Sequence, residues 1–217
     1  MAVRESWATV QIENAQIVFL LGQSGSDEIN NAIHQEANDY DDIVQGNYQD
    51  TYANLTLKAL NGLEYRHKIC YQPDYILAVD DDTYVNMESL KNHLERLRDS
   101  TDFIECSERT VVKGKVWRQG RWAVDPEIYP AEKYPTYCNG PCYLMPKSTA
   151  TQLYNQTLTT FHDIQADDAL ITGIYRVKSE IPLIQYTRTG SPGWCHELNN
   201  RKPRLPQRMR REFERNR

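Results

Sequence analysis

Short apolar runs alternate with amphipathic stretches along this chain, and that alternation predicts its elements. Gln16 to Leu21 (QIVFLL) is a compact apolar run closed by Gly22, the pattern of a buried strand. In the stretch from Asp27 to Ala37, Ile29 and Ile33 fall four residues apart, as on one face of a helix. Ile43 and Val44 mark a second short strand. Asp50 is placed to cap a helix over 51–66, with Leu55, Ala59, Leu60 and Leu63 as its apolar stripe. Tyr75 to Val79 (YILAV) is apolar at every position, which predicts a central, parallel strand. Asn86 stands ahead of a helix over 87–98, and further helices are expected over 149–154 and 168–177. Strands separated by helices of this length predict an α/β sheet.

Past Thr110 the periodicity fades. Trp117, Arg121 and Trp122 lead into a stretch rich in Pro and Tyr from Pro126 to Tyr143. Irregular aromatic segments hung on a rigid sheet are where binding surfaces tend to be built, and the same residues also suit a loop stapled to the core.

Charge narrows the choice of partners. The 217 residues hold 25 basic and 30 acidic side chains, a net −5, but residues 201–217 alone hold eight basic and two acidic ones. The remaining 200 residues therefore carry a net −11. An acidic body argues against a groove for a nucleic-acid backbone. Pro203 and Pro206 mark the basic end as a solvated tail. Five cysteines are too few for a disulfide scaffold, and none has CxxC spacing. One or two bridges among them suit an oxidising compartment. Asn54-Leu55-Thr56 and Asn155-Gln156-Thr157 are glycosylation sequons that matter only there.

The chemistry sits in two acidic sets. Asp80-Asp81-Asp82 follows the YILAV strand directly, and in open α/β sheets ligands bind beyond the carboxyl ends of strands. Three like charges there call for a cation, and hard oxygen ligands suit Mg²⁺ or Mn²⁺ with a substrate diphosphate completing the shell. Asp167-Asp168 opens a helix, where a carboxylate either caps the dipole or serves as a general base. His196, flanked by Cys195 and Glu197, becomes a metal-ligand candidate if the carboxylate site is real. There is no G-x-S-x-G, no P-loop and no G-x-G-x-x-G.

Several blocks in order resemble the β-1,3-galactosyltransferase family (glycosyltransferase family 31). They are Arg4-Glu5-Ser6-Trp7; Phe19-Leu20-Leu21-Gly22; Glu36 with Tyr40-Asp41-Asp42-Ile43; and Asp50 to Lys58, similar to D-x-Y-x-N-L-T-x-K. They continue with Asp80 to Asn86 (DDDTYVN), Trp122, Tyr129-Pro130, and Tyr134 to Gly140. The resemblance implies a GT-A type, Rossmann-like nucleotide-sugar-binding sheet with helices on both faces. It implies an inverting, metal-dependent transferase that moves galactose, or an N-acetylhexosamine, from a UDP-sugar to a hydroxyl of a glycan acceptor on protein or lipid. Mn²⁺ or Mg²⁺ would be held by Asp82 and His196. Arg4, Asp50, Asn54, Lys58, Asp80, Asp81 and Asp82 would face the donor, and Trp122, Tyr137 and Gly140 the sugar or acceptor. Asp168, with Asp167 beside it, would be the base.

In two places the chain departs from that pattern. The family's E-D-V-x-x-G appears here as Asp167 to Gly173 with one additional residue before the glycine. Met1 stands only three residues before Arg4, where the family carries a cytoplasmic tail, an anchor, a stem and a first strand. The resemblance thus implies an N-terminally shortened catalytic domain over 1–200, its first strand missing, followed by the basic tail. It also implies residence on the lumenal side of the Golgi membrane, through an anchor this chain does not carry. Two other readings fit parts of the pattern. A haloacid-dehalogenase-like phosphatase places D-x-D-x-T after a strand, but here Tyr84 holds the Thr position. A UDP- or glycan-binding relative would keep the sites without turnover.

Overall fold

The computed structural model describes residues 3–10, 12, 14–97, 101–107, 109–111, 114–139, 142–160, 163–186 and 193–197, with backbone alone at 109–111 and 196–197. The first unit is β1 (Phe19–Gln23), α1 (Asp27–Tyr40) and β2 (Ile43–Gln49), with β1 and β2 parallel. Ser26 caps α1 through the Ile29 N–H, and Asp41 ends it in the left-handed region at φ 53°. β1 begins three residues inside the Gln16–Leu21 run that announced it and ends at Gln23, while β2 extends from its Ile43-Val44 pair to Gln49. Gly22 is required here: a Cβ would stand 2.7 Å from the Tyr48 carbonyl oxygen and 2.8 Å from the Asp50 nitrogen.

A 3₁₀ turn (Tyr52–Asn54) then leads into α2 (Leu55–Lys68). Asp50 is not the cap of this helix. Its two carboxylate oxygens are already committed, one to the Gly22 N–H at 2.8 Å and the other to the Lys58 ammonium at 2.8 Å.

The main sheet holds four strands in the order β3 (Tyr75–Val79), β8 (Cys142–Pro146), β5 (Ile104–Cys106), β9 (Leu183–Gln185). Among the described residues β3 ends this sheet, antiparallel to β8, where the sequence predicted a central parallel strand. Its uniform apolarity has another cause. Ile76 packs on one core, while Tyr75, Leu77 and Val79 pack on a second, so both faces are covered. Coverage says nothing about the direction of the neighbour.

The larger core gathers Leu63 of α2, Leu153 of α4 (Lys147–Thr159) and Leu170, Ile171 and Tyr175. The smaller joins Trp7, Val85 and Leu90 to Trp194 and the Cys142–Cys195 disulfide. A second disulfide links Cys106 to Cys138. Between these lie β4 (Thr83–Val85), α3 (Met87–Arg96), β6 (Arg109–Val111) and β7 (Tyr137–Asn139); β6 pairs with β7, and β4 with β10 (Cys195–Glu197). The Asn86 side chain caps α3 as expected, accepting from the Ser89 N–H at 3.0 Å. Among the described residues no helix is long and apolar enough to cross a membrane.

Candidate functional site

At the carboxyl end of β3 the chain turns tightly, the Thr83 N–H donating to the Asp80 carbonyl at 3.2 Å. Asp80, Asp81 and Asp82 are exposed on that turn, while Thr83 is buried and its carbonyl accepts from the Trp7 indole N–H at 3.0 Å. The turn is thus clamped from below and open above. The β4–β10 ladder sets His196 opposite Tyr84 and Glu197 opposite Thr83. That register brings the backbone of His196 to within two residues of Asp82's strand position. The side chain of His196, like all of Gly140, lies outside the described residues.

Asp167 and Asp168 sit in a different setting. They lead into a π-helix over Ala169–Tyr175 that continues as an α-turn at Arg176–Lys178. A π-turn holds one residue more than an α-turn, which accounts for the additional residue ahead of Gly173. Gly173 thereby lies against Tyr137, where a Cβ would come within 3.1 Å of the tyrosine Cβ. The aromatic block is bonded to the same helix. The Cys138 N–H donates to Thr172 Oγ1 at 2.9 Å, and Arg176 reaches the Thr136 carbonyl at 3.0 Å.

Electrostatics join the two acidic sets. Burial raises the Asp168 carboxyl to about 7, helped by the charges of Asp167 and Asp80 and opposed by the Ala169 N–H that it accepts at 2.7 Å. Burial also raises Asp167. Tyr143, on β8 opposite Ala78, is raised by burial and then by Asp167, Asp168 and Asp80, so it stands between the sets. Tyr134, packed edge-on to Tyr137 with centroids 6.1 Å apart, is pushed up to about 12, chiefly by burial. Tyr137 is raised too, by burial and by Asp168. Tyr143, Thr172 and Arg176 were not singled out in the sequence, and Tyr134 only as the start of its block. The only hint of them was their closeness to the Tyr134–Gly140 block and to the Asp pair.

The remaining candidates form a separate neighbourhood. The Asp50 carboxyl is lowered: burial pushes it upward, but the Lys58 ammonium and the Gly22 N–H outweigh that. Asn54 donates to the Gln49 carbonyl at 2.9 Å. Trp122 meets Tyr52 edge-on at 5.5 Å, and the Arg121 guanidinium lies 3.3 Å from the Tyr52 ring centre. This brings Trp122 to the 3₁₀ turn that precedes α2. Arg4 instead forms a fork on Asp42 at 2.7 and 2.6 Å, reaches Glu36, and lies over the rings of Phe19 and Tyr40. Its guanidinium is spent on holding the first residues to the β1–α1–β2 unit.

Comparison with known proteins supplies the family. The sequence pattern of the galactosyltransferase family matches residues 1–187. This chain belongs to that family. β-1,3-Galactosyltransferase 5 of Pan troglodytes is 32% identical over 166 residues, which are 71% of this chain and 53% of that protein. The Homo sapiens form of the same protein is 31% identical, covering 71% and 51%. β-1,3-Galactosyltransferase 2 of Homo sapiens is 30% identical over 164 residues, 72% of this chain and 39% of that protein. The chain thus spans about half, or less, of the length of these curated relatives. Membership sets aside the phosphatase reading, and the mixed α/β sheet with its helices has the GT-A-like character of this galactosyltransferase family.

Proposed function

We propose that this galactosyltransferase-family chain moves a hexose, galactose or an N-acetylhexosamine, from a UDP-sugar to a glycan hydroxyl in β-1,3 linkage with inversion. The observation that carries this reading is the half-buried Asp168 carboxyl, raised to about 7 by burial and by the charges of Asp167 and Asp80. A carboxyl held there is poised to take a proton near neutral pH, as a base for an attacking hydroxyl must.

The donor side has the right chemistry for a divalent cation. Exposed hard oxygens of Asp80 to Asp82 suit Mn²⁺ or Mg²⁺, which keep several positions for water and phosphate. Asp82 would hold the cation, with His196 as the second candidate from the β4–β10 register. When bound, the cation supplies Lewis-acid stabilisation of the departing diphosphate. The other roles fall to the chain itself. Asp80 and Asp81 orient the donor, Trp122 and Tyr137 shape the space for the sugar, and Asp168 accepts the proton of the attacking hydroxyl. Asp167 keeps that carboxyl basic by adding like charge. Two disulfides suit an oxidising lumen, the setting expected of a Golgi enzyme.

Transfer from UDP-galactose and UDP-N-acetylhexosamines to β-linked acceptors, with and without Mn²⁺, tests this directly. Transfer that Asp168→Asn abolishes while UDP binding persists supports it. UDP binding with no transfer to any acceptor would select the non-catalytic relative instead.

A further inference from the structure

At the opposite end of β3 from the acidic turn lies an open cleft of about 530 Å³ between α2 and α4. Five residues of strand, roughly 16 Å by strand rise, separate its Asp74 end from Asp80. Arg66, His67, Tyr71, Lys147, Ser148 and Thr151 line it. Arg66 is only 8% exposed, and its Nε is buried without a hydrogen-bond partner. Among the described residues its side-chain bond goes to Thr151 Oγ1, at 3.1 Å. Among the described residues no carboxylate pairs with it, and burial lowers its affinity for the proton. An unpaired buried guanidinium is costly unless an anion meets it.

Two further features point the same way. The N-terminus of the 13-residue helix α4 opens on this cleft, its N-cap is Pro146, and no side chain caps it. The Lys147 N–H is taken by the Asp74 carbonyl at 2.8 Å, and the N–H groups after it carry partial positive charge toward the same space. Lys147 adds an ammonium whose partner, Asp74, is 76% exposed and weakly held at 2.7 Å. The nearby Asp102 carboxylate is occupied by Gln152 and Thr149. The charged side chains lining the cleft are thus cationic, and its hydroxyls come from Tyr71, Ser148 and Thr151.

We infer that the α2–α4 cleft is a binding site for a tetrahedral oxyanion, the phosphate or sulfate group of a ligand other than the sugar donor. Arg66 and Lys147 supply charge, and the start of α4 supplies backbone donors. Donors of this kind fit sulfate and phosphate alike, so relative affinity identifies the source.

Thermal unfolding and calorimetry of the full chain in EDTA, with inorganic phosphate or sulfate against chloride at equal ionic strength, test the inference. EDTA removes divalent cations and so silences the acidic turn. Phosphate or sulfate should raise the melting temperature above the chloride control, and the tighter of the two names the ester class. Arg66→Met should weaken binding about tenfold or more. Without oxyanion it should melt no lower than the parent, since it removes an unpaired charge. If Arg66→Met does not fold, Lys147→Ala decides, because that exposed residue can be lost without harm and should weaken binding several-fold. No gain over chloride, or a gain that survives Lys147→Ala and Arg66→Met, would overturn the site.

Discussion

Asp80-Asp81-Asp82 and Asp167-Asp168 are the same chemical group placed in two settings, and the proposed roles follow those settings. The first set is exposed on a turn at the end of a strand. The second is sunk at the start of a π-helix among tyrosines, where burial and mutual repulsion raise Asp168 to about 7. When environments push like groups apart in this way, the exposed set suits the proposed ligand and the half-buried one the proposed base. Position along the fold, more than residue type, assigns the role.

The sharpest way to break that comparison is to remove one carboxylate from each set. Asp168→Asn should cut turnover about 10²–10⁴-fold with little change in UDP affinity. Asp82→Ala should instead abolish Mn²⁺-dependent UDP binding, read by calorimetry. Asp167→Asn should be the milder member of its pair. If Asp168→Asn loses UDP binding and Asp82→Ala keeps it, the roles are reversed.

Next in size is the support beneath the buried set. Thr172 Oγ1 accepts from the Cys138 N–H and donates to the Asp168 carbonyl at 2.6 Å. Thr172→Val would leave a buried N–H unmet and should cost about 1–3 kcal/mol in denaturant unfolding. An equivalent loss is not expected at the exposed turn.

A smaller effect follows pH. Because the folded Asp168 carboxyl titrates at about 7 against 3.8 for the ordinary group, the folded chain keeps a proton that the unfolded chain has given up. That contribution is complete below about pH 4 and is lost as pH rises through about 7. In EDTA, stability should fall over this window by an amount on the order of 1 kcal/mol, screened by solvent that reaches the pair. Asp168→Asn should flatten the slope, whereas Asp82→Ala should leave it in place. The least effect is expected from Lys58→Ala, which breaks a partly exposed ion pair with Asp50 and should cost at most about 1 kcal/mol. A change in donor KM without a matching change in stability would place Lys58 on the donor.

Local features were legible in the sequence, and pairwise ones were not. The Asn86 cap and the helices after Gly22 and Asn86 depend on residues a few positions apart, so periodicity revealed them. The partner of the YILAV strand depends on residue 142 onward, and nothing in five apolar residues encodes its direction. Asp50 looked like a cap because its neighbours downstream are helical; the Gly22 N–H that claims it lies 28 residues upstream. The additional residue before Gly173 was visible, but its absorption by a π-turn depends on how Gly173 meets Tyr137. Tyr143 went unnoticed for the same reason, since its place between the acidic sets arises only when β8 lies against β3.

The two disulfides share a geometry with a consequence for synthesis. Cys138 and Cys142 lie four residues apart in the sequence, yet their partners lie 32 residues before the first and 53 residues after the second. As the chain emerges, Cys106 and Cys138 can join early, whereas Cys142 must wait for Cys195. Cys70, whose thiol is free and half-buried, competes with it throughout that interval. The strand that carries His196 to the acidic turn is therefore the last part to be fastened. Production in an oxidising secretory pathway with an isomerase, or of a Cys70→Ser variant, should give a larger share of correctly closed molecules than cytosolic expression.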